Sequence, residues 1–128
     1  MKKKIVIIIG CFLVILFVAG LLITSGLSEG MKVQLTGIDL SEVEDGSYKG
    51  EYNFKRWSNS VTVEVKDNKI ISISIDKDVF GADVTACSDE IIAKVIKEQN
   101  TTVDVVTGAT VTSKAYLKAI ENALKNDD

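Results

Sequence analysis

The segment DVVTGATVTSKAY, residues 104–116, is the part of the chain whose residue types and spacing are best suited to chemistry. It gathers hydroxyl side chains around one glycine: Thr107, Gly108, Thr110, Thr112 and Ser113. Such hydroxyls donate hydrogen bonds to phosphate oxygens and can themselves be esterified to phosphate. Glycine lets the backbone turn sharply or approach a ligand closely. The segment therefore predicts an anion site, a point of covalent attachment, or a plain turn.

The elements on either side of this segment decide what it can bind. The β-branched run of residues 101–106 predicts a strand before it, and a helical pattern begins near Ser113. The first amides of a helix have no backbone partners, and with the helix dipole they favour a phosphate or another anion. An ordinary N-cap at Thr112 or Ser113 is the simpler alternative. A Walker-type phosphate loop is excluded, because no Gly-Lys-Ser/Thr ending follows.

Composition removes several classes of function. The 128-residue chain has no histidine, which excludes Ser-His and Cys-His nucleophile pairs and imidazole metal ligands. Cys11 and Cys87 cannot form a zinc cluster, and Cys87 is expected to be a small buried apolar residue. No residue set resembles an acid–base constellation, so a self-contained enzyme is not indicated.

Charge and hydropathy divide the chain into a membrane anchor and an outer part. Lys2, Lys3 and Lys4 precede an uncharged apolar run of residues 5–27, which in a helix covers about 34 Å. The positive-inside rule places residues 1–4 in the cytoplasm and the domain outside. Cleavage of a signal peptide, or of a lipoprotein signal at Cys11, is the alternative. The outer part has 12 basic and 18 acidic residues and no basic stripe, which disfavours nucleic acid.

The outer part predicts a stalk followed by one compact domain. Residues 28–45 end in an acidic run and predict the stalk; residues 46–128 predict the domain. A first strand starts at GSYKGEYNF. Alternating valines in SVTVEV and isoleucines in IISISID, with Ile71, Ile73 and Ile75 on one face, flank an Asp-Asn turn and predict a hairpin. Two amphipathic stripes, in SDEIIAKVIKEQN and SKAYLKAIENALK, predict helices. The fold class is α+β, a small antiparallel sheet with two helices on one face.

The segment DVVTGATVTSKAYLKAIENAL closely resembles the signature of the FMN-binding domain family, which includes components of the sodium-pumping NADH:quinone oxidoreductase and of the Rnf complex. The positions that match this signature in order are Asp104, Thr107, Gly108, Ala109, Thr110, Thr112 and Ser113. Upstream, DGSYKGEY and SVTVEVKDNKI resemble the family's first strands, so the resemblance covers roughly residues 45–125.

The resemblance implies a covalently bound FMN cofactor. In this family a flavin transferase uses FAD to join FMN by a phosphodiester to a threonine of the motif, which corresponds to Thr110 here, with Thr112 as the fallback. Asp104 is implied in recognition by the transferase, and Thr107 in contacts near the phosphate. The chain is much shorter than the family members found in those complexes, which favours a separate carrier over membership of such a complex.

Two functions from different classes remain open on the sequence. The first is a membrane-anchored, extracytoplasmic electron carrier that exchanges electrons with redox proteins or a quinone. The second is a non-redox binding module in which the segment is only an N-cap. Trp57 either packs on the flavin ring or belongs to the core, and core packing is the preferred interpretation.

Overall fold

The computed structural model describes residues 1–24, 27–80 and 84–125. Its helices are α1 (Lys2–Thr24), α2 (Leu27–Met31), α3 (Val84–Glu98) and α4 (Thr110–Lys125). Its strands are β1 (Gly46–Tyr52), β2 (Asn59–Lys66) and β3 (Lys69–Lys77). Single 3₁₀ turns form at Leu40–Glu42 and Lys55–Trp57.

The sheet is the antiparallel meander that the alternating pattern predicts. Its strand order is β1-β2-β3, and both neighbouring pairs are antiparallel. Asp67 and Asn68 turn β2 into β3 with φ values of 53° and 61°. Positive φ at both central residues is the requirement of a type I′ turn, whose twist matches that of the flanking strands. The predicted hairpin is therefore confirmed.

A bulge in β3 corrects one predicted face. Val65 pairs with Ile70 and Glu64 with Ser72, so Ile71 has no partner on β2. The extra residue leaves Ile71 53% exposed, whereas Ile70 is 2% exposed. The prediction that Ile71 shares an inner face with Ile73 and Ile75 is wrong at Ile71, because one inserted residue moves a side chain to the other face.

Helix α4 packs directly on the sheet and closes the core. A side chain at Gly50 of β1 would meet the backbone of Ala119 and Ala123, so glycine allows helix and strand to touch. The predicted inner stripe of α4 is confirmed by its buried members Tyr116, Leu117, Ile120, Ala123 and Leu124. Helix α3 covers the next part of the core with Ile91 and Val95, both fully buried.

The segment between α3 and α4 corrects a second prediction. Residues 101–106 form no strand. The Asn100 side-chain oxygen accepts the amides of Thr101 and Thr102, at 2.7 and 3.3 Å, and the Ser113 hydroxyl accepts the amide of Val106. These backbone groups are satisfied by side chains, so β-branched composition alone does not produce a ladder here.

Residues 30–43, the entry segment, lead into the domain and contact α4 and the core. Gly30 of α2 sits where a side chain would collide with Val111, and the Thr36 amide and hydroxyl donate to Glu121. Leu35, Ile38, Leu40 and Val43 pack partly buried against the core. The division between a stalk at residues 28–45 and a domain from residue 46 stays a prediction.

Helix α1 is long and apolar enough to cross a membrane. Its span Lys2–Leu22 has no buried part among the described residues. Its large apolar side chains, from Ile5 to Leu22, are largely exposed. In water this surface would be costly, whereas a bilayer provides the apolar surroundings that it needs.

Candidate functional site

A tight turn presents the hydroxyl segment. The amide of Ala109 donates to the carbonyl of Val106 at 3.0 Å, and Thr107 and Gly108 occupy the exposed corner. Gly108 has a φ of +82°, a conformation that glycine adopts without strain. A side chain there would meet no atom within 4 Å, so the space above the corner is open. The predicted role of Gly108 in turning the chain is confirmed.

Helix α4 begins at Thr110, three residues earlier than the predicted start near Ser113. Ser113 is fully buried; its hydroxyl donates to the carbonyl of Ala109 at 2.6 Å and accepts the amide of Val106 at 3.1 Å. The Ser113 amide donates to the same Ala109 carbonyl, so the first turn of α4 is hydrogen-bonded to residue 109. The alternative that Thr112 or Ser113 caps the helix is therefore wrong, since both lie inside α4. The buried Ser113 side chain instead stabilises the turn through its bonds to Val106 and Ala109.

The three threonine hydroxyls of the segment are free to act on a ligand. Within the described residues, neither Thr107, Thr110 nor Thr112 makes a side-chain hydrogen bond. Thr107 is exposed and the other two are half-buried. The first-turn amides of Thr110, Val111 and Thr112 likewise have no backbone acceptor in that part of the chain. Free amides, a helix dipole and unengaged hydroxyls fit a phosphate group.

The two candidate acceptors point to different sides of α4. Residues two apart in a helix are separated by about 200° around its axis. Thr110 lies on the face of Lys114, one turn further on, whereas Thr112 lies above Ala115 and Tyr116. The Lys114 ammonium donates to the carbonyl of Met31 at 2.5 Å, which ties α2 to this first turn.

Two lysines bring positive charge to the segment. Lys94 of α3 donates to the backbone carbonyl of Asp104 at 3.0 Å and also pairs with Glu90. Lys114 follows Thr110 by four residues, so the two lie on the same side of α4. The side chain of Asp104 is exposed, at the entrance to the segment. It is therefore accessible from solvent.

Polar contacts connect the base of the segment to neighbouring elements. The Cys87 sulfur of α3 lies 3.5 Å from the Ser113 hydroxyl, and Cys87 is 6% exposed, which confirms its predicted burial. The Tyr116 hydroxyl donates to the Asp78 carboxylate. Burial, with the neighbouring Asp78 carboxylate, raises the pKa of Tyr116 far above its usual value. These contacts connect α3, α4 and the residue that follows β3 near the first two turns of α4.

Trp57 belongs to the core at the same end of the domain. Its side chain is 1% exposed and its ring stacks with that of Phe54, at 6.2 Å between centroids and 15° between planes. The preferred interpretation of Trp57 as a packing residue is confirmed. Among the described residues, no cluster of carboxylates and cysteines could hold a metal ion.

The fold and this turn define a small α+β domain that presents a helix start and open hydroxyls to an anionic ligand. A sequence model of the FMN-binding domain matches residues 57–125, more than half of the chain and all of the hydroxyl segment. The chain therefore belongs to the FMN-binding domain family, and its role is to bind flavin, with FMN as its cofactor. No curated protein matches the chain.

The structure brings most of the predicted site residues together and adds others. Residues 107–113 form one continuous turn and helix start, while Asp104 lies before the turn. Lys114 could have been found from the sequence, because it follows Thr110 at helical spacing. Lys94 and Cys87 could not, because their contacts depend on how α3 packs beside α4.

Proposed function

We propose that the protein is a membrane-anchored electron carrier whose FMN is joined by a phosphodiester to Thr110. The observation that carries the proposal is the free Thr110 hydroxyl in the first turn of α4, within a chain of the FMN-binding family. A plain N-cap would engage a threonine oxygen with an amide of the first turn. Within the described residues, no threonine hydroxyl of the segment is engaged in this way.

Attachment is a phosphoryl transfer from FAD. The Thr110 oxygen bonds to the phosphorus of the FMN half, the pyrophosphate bond to AMP breaks, AMP leaves, and the hydroxyl proton passes to a base or to solvent. A flavin transferase supplies the catalytic groups, since the chain has no histidine and no acid–base pair beside Thr110. Asp104 is exposed before the turn and serves the transferase as a recognition residue.

This chain supplies the surroundings of the phosphodiester. The product retains one negative charge, which the free amides of Thr110, Val111 and Thr112 stabilise together with the helix dipole. Lys114 adds a full positive charge one turn further on. Thr107 and the open corner at Gly108 leave room for the phosphate oxygens.

The anchor keeps the domain at the membrane, and the covalent bond keeps the flavin on the domain. With residues 1–4 in the cytoplasm, the domain lies outside the membrane, where a dissociated cofactor is lost into a large volume. A micromolar complex, worth about −8 kcal/mol, would release its flavin there. FMN supplies the redox chemistry when bound, and the protein fixes its position. The electrons come from and pass to redox proteins or a membrane quinone.

Intact mass tests the proposal directly. The full chain is produced with and without a flavin transferase and is weighed after denaturation. We expect the protein made with the transferase to be heavier by one FMN less one water, and to remain yellow when unfolded. An unmodified mass with the active transferase present would contradict covalent attachment. Colour that is lost on unfolding would leave a non-covalent FMN domain.

A further inference from the structure

Arg56 carries a charge that nothing in the described structure neutralises. It is the sole arginine of the chain and belongs to the 3₁₀ turn Lys55–Trp57, between β1 and β2. Its Nε is buried without a hydrogen-bond partner, and no carboxylate in the described residues pairs with its guanidinium. A buried donor left unsatisfied costs about 1–3 kcal/mol, so such groups are uncommon unless a ligand uses them.

The surroundings hold this guanidinium in one place. Its central carbon lies 4.3 Å from the centroid of the Trp57 ring, a cation–π distance. The Trp57 ring is buried and stacked on Phe54. The carbonyl of Arg56 accepts the amide of Phe80 at 3.0 Å, which fixes the backbone. The guanidinium is therefore preorganised, and little conformational entropy remains to be lost when it binds.

The turn that carries Arg56 lies at the same end of the domain as the threonines. The Asn59 side-chain amide donates to the carbonyl of Trp57 at 3.1 Å and to that of Ala115 at 3.2 Å. Ala115 follows Thr110 by five residues, which is about 7–8 Å along α4. The Asn59 Oδ1 atom is itself buried without a partner. The turn that carries Arg56 is thus joined through Asn59 to the second turn of α4.

One exposed aromatic side chain belongs to a residue whose backbone is bonded to that of Arg56. Phe80, whose amide bonds to Arg56, has a side chain that is 81% exposed. Exposed aromatic rings and arginine planes are the groups on which flat heterocycles stack. The isoalloxazine ring is such a heterocycle, and its pyrimidine edge carries carbonyl oxygens and gains negative charge on reduction. A cation beside that edge favours the reduced flavin.

We propose that Arg56 receives the pyrimidine edge of the isoalloxazine ring and raises the reduction potential of the bound FMN. The inference rests on the proposed function and adds a residue outside the hydroxyl segment. The ribityl chain separates the flavin ring from its phosphate. The phosphate therefore contacts the first turn of α4, while the ring contacts the turn Lys55–Trp57.

The test compares reduction potentials of three variants of the full flavinylated protein. Arg56→Gln removes the charge and Arg56→Lys keeps it without the planar stack. Lys55→Gln removes an exposed charge from the neighbouring residue and serves as the matched control. Intact mass first establishes one FMN per chain in each sample. Spectroelectrochemical titration then gives the potential, and thermal unfolding without flavin shows whether the fold is retained.

We expect Arg56→Gln to lower the reduction potential of the bound FMN by about 30 mV, which for a two-electron couple is an equilibrium constant for reduction about tenfold smaller. The loss of one partly buried charge has an effect of this size. Arg56→Lys is expected to recover part of the shift, and Lys55→Gln to change the potential little. Equal shifts of the potential in Arg56→Gln and Lys55→Gln would show that the net charge of the protein alone sets the potential, and this would overturn the inference. An unchanged potential in Arg56→Gln would overturn it as well. If the wild type lacks covalent flavin, the proposed function fails, and the same potentials are measured on FMN bound from solution.

Discussion

At the scale of single residues, the free hydroxyl of Thr110 depends on what Ser113 does. The Ser113 hydroxyl donates to the carbonyl of Ala109 and accepts the amide of Val106. These two backbone groups are therefore not available to a threonine of the segment. The turn is thereby closed without using Thr107, Thr110 or Thr112. One buried serine leaves three threonines available, which fits attachment better than a structural turn.

Glu121 is a fully buried carboxylate whose ionisation is coupled to stability. Its carboxylate is fully buried and accepts Thr36 from the entry segment, Thr101 and Lys125. Burial alone would raise the pKa of Glu121, but the hydrogen bonds from Thr101, Thr36 and Lys125 outweigh it and hold the pKa below the usual value.

We predict that Glu121→Gln lowers the free energy of unfolding by about 1–3 kcal/mol near pH 7, because an amide satisfies these donors only in part. Since the folded pKa is depressed, the carboxylate's contribution is complete above the unfolded value of about 4.3 and is lost as pH falls through the folded pKa. Wild type should therefore lose more stability than Glu121→Gln in that acidic range. Urea unfolding at several pH values measures it, with the exposed Glu98→Gln as control. Parallel pH curves for wild type and Glu121→Gln would contradict the prediction.

At the scale of elements, α4 is both the closing element of the core and the carrier of the site. Its sheet-facing side meets Gly50, while its first turn meets α2 through Val111 and Lys114. The Lys114 ammonium already donates to the carbonyl of Met31 in α2, one helical turn after Thr110. We infer that a phosphodiester on Thr110 would compete with Met31 for this ammonium.

We predict that flavinylation stabilises the wild type more than it stabilises Lys114→Gln, by about 1 kcal/mol or less, as befits a half-exposed charge pair. The measurement is the difference in Tm between flavinylated and unmodified protein, for each variant at low and high salt. Lys97→Gln, an exposed lysine on α3, is the control. The same gain in Lys114→Gln as in wild type would show that Lys114 does not meet the phosphate.

Elements with local determinants could be predicted from the sequence, and those with distant ones could not. The hairpin follows from Asp67 and Asn68, and α4 from its apolar stripe. The expected strand at residues 101–106 is absent because Asn100 and Ser113 take its amides. The bulge at Ile71 and the start of α4 at Thr110 likewise depend on long-range pairing or on a side chain that folds back on the backbone.

The candidate site divides in the same way. Thr110 and its neighbours are contiguous, so a motif identifies them. The unpaired state of Arg56 and the contact of Lys94 with Asp104 arise only when separate elements pack. Composition gave no signal for either contact.

At the scale of the whole molecule, one apolar helix precedes a domain onto which the entry segment is fastened. The bond from Thr36 to Glu121 holds that segment on α4, and the bond from the Ile38 amide to Asn100 holds it on the loop after α3. The excess of acidic residues lies entirely after residue 27. This asymmetry underlies the expected orientation, with the lysines inside and the domain outside.

Orientation is tested by protease digestion of intact protoplasts that produce the full chain. We expect the domain to be digested without detergent, because it faces outward, while a cytoplasmic marker protein stays whole. The mass of membrane-extracted protein should also include residues 1–27 if the helix is a retained anchor. A domain that resists digestion until the cells are lysed would contradict the orientation.

The most direct test of covalent attachment weighs two variants, each made with the flavin transferase. Thr110→Val and Thr112→Val each replace a hydroxyl by a methyl group of nearly the same shape, in the same helical turn. We predict that Thr112→Val carries one FMN less one water and that Thr110→Val has the mass of its amino acids alone. A flavinylated Thr110→Val, or an unmodified chain in both variants and in wild type, would contradict attachment at Thr110.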